Sequence, residues 1–227
     1  MEKFHFNPLP LDIITREYFP NLQTLYKYND NDNLFEDDER IIARKQCNKP
    51  YLTFNKKKQF EEWTGLKCAD IVFDSAIDNW SYKTSVFNER ILGKKQLIFL
   101  IEDTDGEKFG YYLNTQVVEK YEERIKTDNK SFEFNLQSNG RLSQPMKFEI
   151  KNVKQCGYKL FKKSDYNELI TLGDIYLMKE NKKNYSFCSQ NEVYFDYHGI
   201  KKALCGKTWK PDEEEFTPKR ILVIQME

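Results

Sequence analysis

Histidine is almost missing from this chain, which holds only His5 and His198. Imidazole chemistry therefore has little to work with. The five cysteines, Cys47, Cys68, Cys156, Cys188 and Cys205, are odd in number, widely spaced and without a CxxC pair. Neither a disulfide framework nor a thiol metal or redox motif is indicated, and reduced thiols in the cytoplasm are expected. Net charge is lacking too, because 36 Lys and Arg balance 36 Asp and Glu. Without a long-range basic field, nucleic acid is not an expected partner. The longest apolar runs, such as residues 97–101, extend about five residues against the roughly 20 that cross a bilayer, so no spanning helix is expected. The opening MEKFHFNPLPLDII has prolines where a signal peptide keeps its apolar centre, so secretion by that route is not expected. No GxGxxG or GxxxxGK[ST] stretch is present, and no nucleotide or other cofactor is predicted.

What the chain does have is core material. Of its 227 residues 39% are apolar and 15% aromatic, while 32% are charged. That composition describes a folded protein with a densely charged surface, long enough for one domain and an extension. Residues 1–50, with Pro8, Pro10, Pro20 and then the polar run YNDNDNLFEDDER, differ in texture from the rest. The predicted division is an N-terminal extension at 1–50, partly helical or repeat-like with an acidic loop, and a domain at 51–227. Asp30 and Asp32 have the spacing that opens a calcium loop, but Phe35 and Ile41 stand where glycine and glutamate are needed. A solvated loop is the reading there.

From Phe54 the run FNKKKQFEEWTG predicts a helix with Asn55 as cap and Gly65 as stop. A short strand at 69–73 follows, then a loop in which Ser81 or Thr84 caps a helix carrying Val86, Phe87 and Ile91. Residues 97–101 are apolar throughout, which predicts a strand covered on both faces at the centre of a sheet. A hairpin turn at 103–106 leads to the strand EKFGYYL, where the interior Gly110 marks a bulge or the close approach of another backbone. TQVVEKYEERI predicts a short surface helix. SFEFNLQ and PMKFEIK alternate apolar and polar residues around a turn at Asn139 and Gly140. Further strands are predicted at 157–161, 174–179, 185–188, 193–197 and the closing ILVIQM. Together these describe an α+β domain, an antiparallel two-sheet β-sandwich with flanking helices.

The order of segments resembles the TLDc domain, a eukaryotic module associated with oxidation resistance and with regulation of the vacuolar proton pump. The resemblance rests on IVFDS, with Asp74 and Ser75; TSVF, with Ser85 and Phe87; LIFLIEDTDG, with Asp103 and Gly106; and Phe109, Gly110 and Tyr112 in the next strand. FEFNL, LGDIYLMKE and FTPKRILVIQM continue it. It covers roughly residues 54–227 and implies a non-catalytic interaction module with a protein partner, proton-pump subunits among the candidates. Two departures stand out. The family's glycine-rich segment is reduced to Gly173, and its acidic residue in the closing strand has no counterpart among Ile221, Leu222, Val223 and Ile224. The resemblance ties the family's protective activity to that acidic residue, which this strand lacks. The Asn-, Lys- and Tyr-rich texture is that of an AT-rich genome such as a protist's.

Two other chemistries have candidate residues. His198 with Cys188 or Cys205 could form a thiol nucleophile and its base, the alternative reading as a cysteine-dependent enzyme. Lys56, Lys57 and Lys58, Lys94 and Lys95, and Lys159, Lys162 and Lys163 could meet phosphoinositide headgroups in a weak peripheral contact. Asp74 and Asp78 are read as loop caps, Asp103 and Asp105 as turn residues, and residues 212–215 as a solvated acidic loop.

Overall fold

The computed structural model describes residues 52–121, 123–163, 167–180, 185–210 and 213–227. The extension predicted at 1–50, its acidic loop and Cys47 lie outside them. In chain order the elements are α1 (Phe54–Thr64), β1 (Cys68–Asp74), α2 (Phe87–Ile91), β2 (Leu97–Asp103), β3 (Lys108–Leu113), β4 (Ile125–Lys126) and β5 (Phe132–Gln137). They continue with β6 (Met146–Glu149), β7 (Gly157–Leu160), β8 (Glu168–Leu172), β9 (Ile175–Met178), β10 (Ser186–Cys188), β11 (Lys207–Lys210), β12 (Glu213–Phe216) and β13 (Pro218–Met226). Two antiparallel sheets result, one ordered β1-β13-β2-β3-β5-β6 and the other β11-β12-β10-β9-β8-β7-β4. This is the expected two-sheet sandwich with flanking helices.

The closing strand is not an edge. β13 lies between β1 and β2, with Leu222 opposite both Asp74 and Leu100. Every residue of β2 is buried, as its unbroken apolar run demands of a strand covered on both faces. One face meets the second sheet. Phe99, Ile101, Phe109, Tyr111 and Val223 share a core with Tyr158, Ile170, Leu172, Ile175 and Phe216, and the Phe109 and Phe216 rings meet edge-on across the two sheets at 4.9 Å. The opposite face of the first sheet makes a second core under α1, where Ile98, Leu100, Phe132, Phe134 and Leu222 pack on Phe60, with Trp63 at its border. Phe60 stands edge-on to Phe134 at 5.4 Å, an arrangement that adds about 0.5–1.5 kcal/mol to the area it buries.

Several local expectations are corrected. α1 begins at Phe54 behind Thr53, not behind Asn55. α2 is entered through the Ser85 hydroxyl, which accepts the Phe87 N–H at 3.2 Å, and not through Ser81 or Thr84. The helix predicted from TQVVEKYEERI is absent among the described residues. Val117 instead exchanges backbone hydrogen bonds with Gly93 and Lys94, and the Tyr158 hydroxyl donates to Gln116 O while accepting Val118 N–H. Pinned from both sides, that backbone cannot coil. The strand predicted at 193–197 is a turn with one bridge, Phe195 to Ile150, held by Asn191 O accepting from Tyr194 and Phe195. Of residues 212–215, the described 213–215 lie in β12 and not in a solvated loop, and Glu214 is buried.

Candidate functional site

The polar residues of the family pattern gather first at the corner where β1 ends beside the start of β13. Asp74 is fully buried. Arg220 grips it with two bonds, Nε to Oδ1 at 3.0 Å and Nη2 to Oδ2 at 2.7 Å. Asp74 Oδ1 also accepts the Ala76 N–H, and Asp78 Oδ2 accepts the Asp74 N–H at 2.9 Å. Ser75 contributes its hydroxyl as acceptor for Ile221 N–H at 2.8 Å, so each end of the corner is tied to β13. Phe87 fills the space beneath, edge-on to Phe73 at 4.9 Å. These residues cap and brace the loop.

The second group shapes β2 and β3. Asp103 Oδ1 accepts N–H groups from Asp105 and Glu107, at 3.0 and 2.8 Å, and burial raises its carboxyl pKa. Gly106, at φ 85°, closes that turn. Gly110 is where backbones touch, since a Cβ there would lie 1.8 Å from Phe99 O and 2.9 Å from the Phe134 ring. Tyr112 donates to Asn114 Oδ1 at 3.0 Å, with its own pKa pushed up to about 12 by burial. It borders a cleft of about 290 Å³ shared with Trp63, Asn114, Phe132 and Lys147. Gly173, at φ 56°, turns from β8 to β9 with room for no side chain: a Cβ would meet Glu133 Oε1 at 2.5 Å and the Phe195 ring at 2.7 Å.

Sequence reasoning missed a polar seam inside the sandwich. In FEFNL the apolar alternates face α1, so Glu133 and Asn135 point between the sheets, where both are buried. Glu133 Oε1 accepts the Asp174 N–H at 2.7 Å. The Tyr197 hydroxyl lies 2.5 Å from Glu133 Oε2 and 2.9 Å from Asp174 Oδ2. Asn191 N–H reaches the same Asp174 oxygen at 2.7 Å, and Asn135 donates to Leu204 O at 2.7 Å. Burial raises Glu133 well above the usual carboxyl range and Asp174 to about 7. Nearby, Arg141 forks onto both oxygens of Glu107, at 3.1 and 2.6 Å, and burial brings Glu214 to about 7. The available signal was a Glu and an Asn at alternate positions of a strand whose other face was already apolar.

The thiol candidates are not brought together with the imidazole. Cys188 and Cys205 are fully buried, and Cys205 donates to Glu214 O at 3.4 Å. His198 sits on an exposed turn with Nδ1 3.5 Å from Asp196 Oδ1. Burial raises Cys188, Cys156 and Cys68, the latter two to about 12 and about 11. At Cys205 the neighbouring Cys188 thiol pulls the other way, yet burial and the acids around it still leave the pKa raised. A nucleophilic thiol has the opposite character, exposed and ionised. The lysine clusters are interleaved with acids, Lys58 beside Glu62 and Lys163 beside Glu89. Among the described residues no group of three or more His, Cys, Asp or Glu could hold a metal ion, and no helix is long and apolar enough to cross a membrane.

The fold and these contacts define an antiparallel β-sandwich whose characteristic polar residues bond to the chain itself. Comparison with protein families matches the TLDc domain over residues 35–201, well over half of the chain, and the chain belongs to that family. The match begins inside the segment read as an extension. No curated protein matches the chain.

Proposed function

We propose that this chain is a non-catalytic TLDc-type interaction module of the cytoplasm, which docks a protein partner through its loops and helices. Its context is oxidative stress response or vacuolar proton-pump regulation. One observation supports this reading above the others: Asp74, Ser75, Ser85 and Asp103 each bond a side-chain oxygen to backbone N–H groups or to Arg220. Residues engaged in that way hold loops in place and present them; they are not poised over a substrate. In this reading residues 1–50 are an appendage to the module and residues 51–227 the module itself. The experiment is a binding titration of the purified full chain against the purified soluble sector of a vacuolar proton pump, with pump ATPase activity followed in parallel. Saturable binding with a change in activity is expected. No binding and no change would remove the proton-pump context.

A further inference from the structure

The contacts around Tyr197 pose a counting problem. Its hydroxyl has one proton, yet its oxygen lies within hydrogen-bond distance of a carboxyl oxygen on each side, Glu133 Oε2 and Asp174 Oδ2. One hydrogen donates to one carboxylate, so the second short contact needs a proton from elsewhere. Asp174 Oδ2 already receives Asn191 N–H, and a second donor, the Tyr197 O–H, completes a site suited to an ionised carboxylate. Glu133 Oε1 accepts the Asp174 N–H, which leaves Oε2 to carry a proton toward the Tyr197 oxygen. The hydrogen-bonded order is then Glu133 O–H to Tyr197 O, and Tyr197 O–H to Asp174 Oδ2.

The seam joins the two sheets to a loop that also meets the end of β6 through the Phe195–Ile150 bridge and the Asp196 N–H to Glu149 O bond. Glu133 is on β5 of the first sheet, Asp174 in the turn between β8 and β9 of the second, and Tyr197 in the loop 189–206. That loop enters the sandwich with Phe195, Tyr197, Ala203 and Leu204, all fully buried. Besides Tyr197, its polar ties to the two sheets include Asn191 N–H to Asp174 and Leu204 O to Asn135. We propose that the seam binds one proton, held on Glu133, and that release of this proton to water loosens the 189–206 loop from the six-stranded sheet.

Ionising Glu133 places two carboxylates around one hydroxyl in a buried site, where like charges repel strongly. The other titratable and charged groups facing them are Tyr111 from β3, Cys156 ahead of β7, Cys188 from β10 and Arg124 ahead of β4. The first three are neutral when protonated. Arg124, exposed and donating to Gly173 O at 3.3 Å, offsets part of the charge. Both acids bind protons more tightly folded than unfolded. Their stabilising contribution is thus complete below the unfolded carboxyl range and is lost as pH rises through the folded one.

Three full-length chains test this: the wild type, Glu133→Gln and Asp174→Asn. The amide that Glu133→Gln introduces reproduces the protonated acid, its oxygen accepting Asp174 N–H and its nitrogen donating to Tyr197 O. Asp174→Asn keeps an amide oxygen for the Asn191 N–H and the Tyr197 O–H, and removes the negative charge that an ionised Glu133 would face. Between pH ~6 and ~9 the wild-type melting temperature should fall relative to both variants. Infrared spectra near neutral pH should show a carboxylic-acid carbonyl band that Glu133→Gln lacks. In the wild type alone, hydrogen-exchange protection at the Asn191 and Ala203 amides should drop over the same range. Identical pH slopes for wild type and Glu133→Gln, an unchanged carbonyl band, or pH-independent protection would each overturn the proposal, the last even if neither variant folds.

Discussion

Arg220 offers the most quantitative perturbation, because its partner is buried and its geometry is double. Replacing it with alanine leaves the Asp74 carboxylate, fully buried, with only the Ala76 N–H on its Oδ1 and no cation in bidentate contact. Removing one member of a buried ion pair costs about 3–5 kcal/mol, since the survivor stays desolvated. The Arg220 side chain is 18% exposed, so water can enter the vacated space, and the lower end, ~3 kcal/mol, is expected. For a domain of this size that is a fall of about 6–12 °C in melting temperature. Asp74→Asn is milder. It leaves a guanidinium that water reaches and keeps an oxygen for the Ala76 N–H, so about 1–2 kcal/mol is expected. Circular-dichroism melts, with urea titrations to check that the denaturant slope is unchanged, measure both. If both variants lie within ~0.5 kcal/mol of the wild type, or Asp74→Asn is the worse, the brace is not what holds this corner.

Gly110→Ala should destabilise by about 3 kcal/mol or more, because Phe99 O cannot move without breaking the β2–β3 ladder. Gly106→Ala, with open space but φ 85°, should cost only ~1–2 kcal/mol; equal effects in thermal melts would contradict the close-approach reading. Tyr111→Phe should be neutral or stabilising, since that buried hydroxyl has no aligned hydrogen-bond partner among the described residues, although Thr127 lies beside it. A clear loss of melting temperature would show that the hydroxyl is satisfied. In a Cys47→Ser chain the remaining thiols should react with a disulfide reagent more slowly than free cysteine at neutral pH, their pKa values being raised; a fast Cys188 or Cys205 would revive the enzyme reading. Glu214, raised to about 7 by burial, contributes stability that is lost as pH rises through that value. Glu214→Gln should therefore flatten part of the decline in melting temperature above neutrality, and an unaltered decline would place the titration elsewhere.

Much of the frame was legible because apolar runs declare themselves. The unbroken run in β2 called for a doubly covered strand, and it occupies the middle of its sheet. Asp74, Asp78 and Asp103 read as caps and turns because short polar side chains bond nearby backbone, a local effect. What escaped depends on distant partners. Nothing local in TQVVEKYEERI announces that the Tyr158 hydroxyl, 40 and 42 residues away from its two bonding partners, pins that segment open. Nor does FEFNL reveal that a helix covers its aromatic face, which turns Glu133 and Asn135 toward the other sheet. The acidic run around Glu214 looked solvated because pairing of β12 with β10, which buries it, is specified from elsewhere in the chain.

In the proposed function the polar residues marking this family brace the fold, and the surface they hold in place binds the partner. The most direct test is the titration of full-length wild-type and Asp74→Asn chains against the soluble sector of a vacuolar proton pump, at a temperature where circular dichroism shows both folded. The prediction is saturable binding with dissociation constants within about twofold of each other. A folded Asp74→Asn chain that has lost binding, or a wild-type chain that never binds, would contradict it.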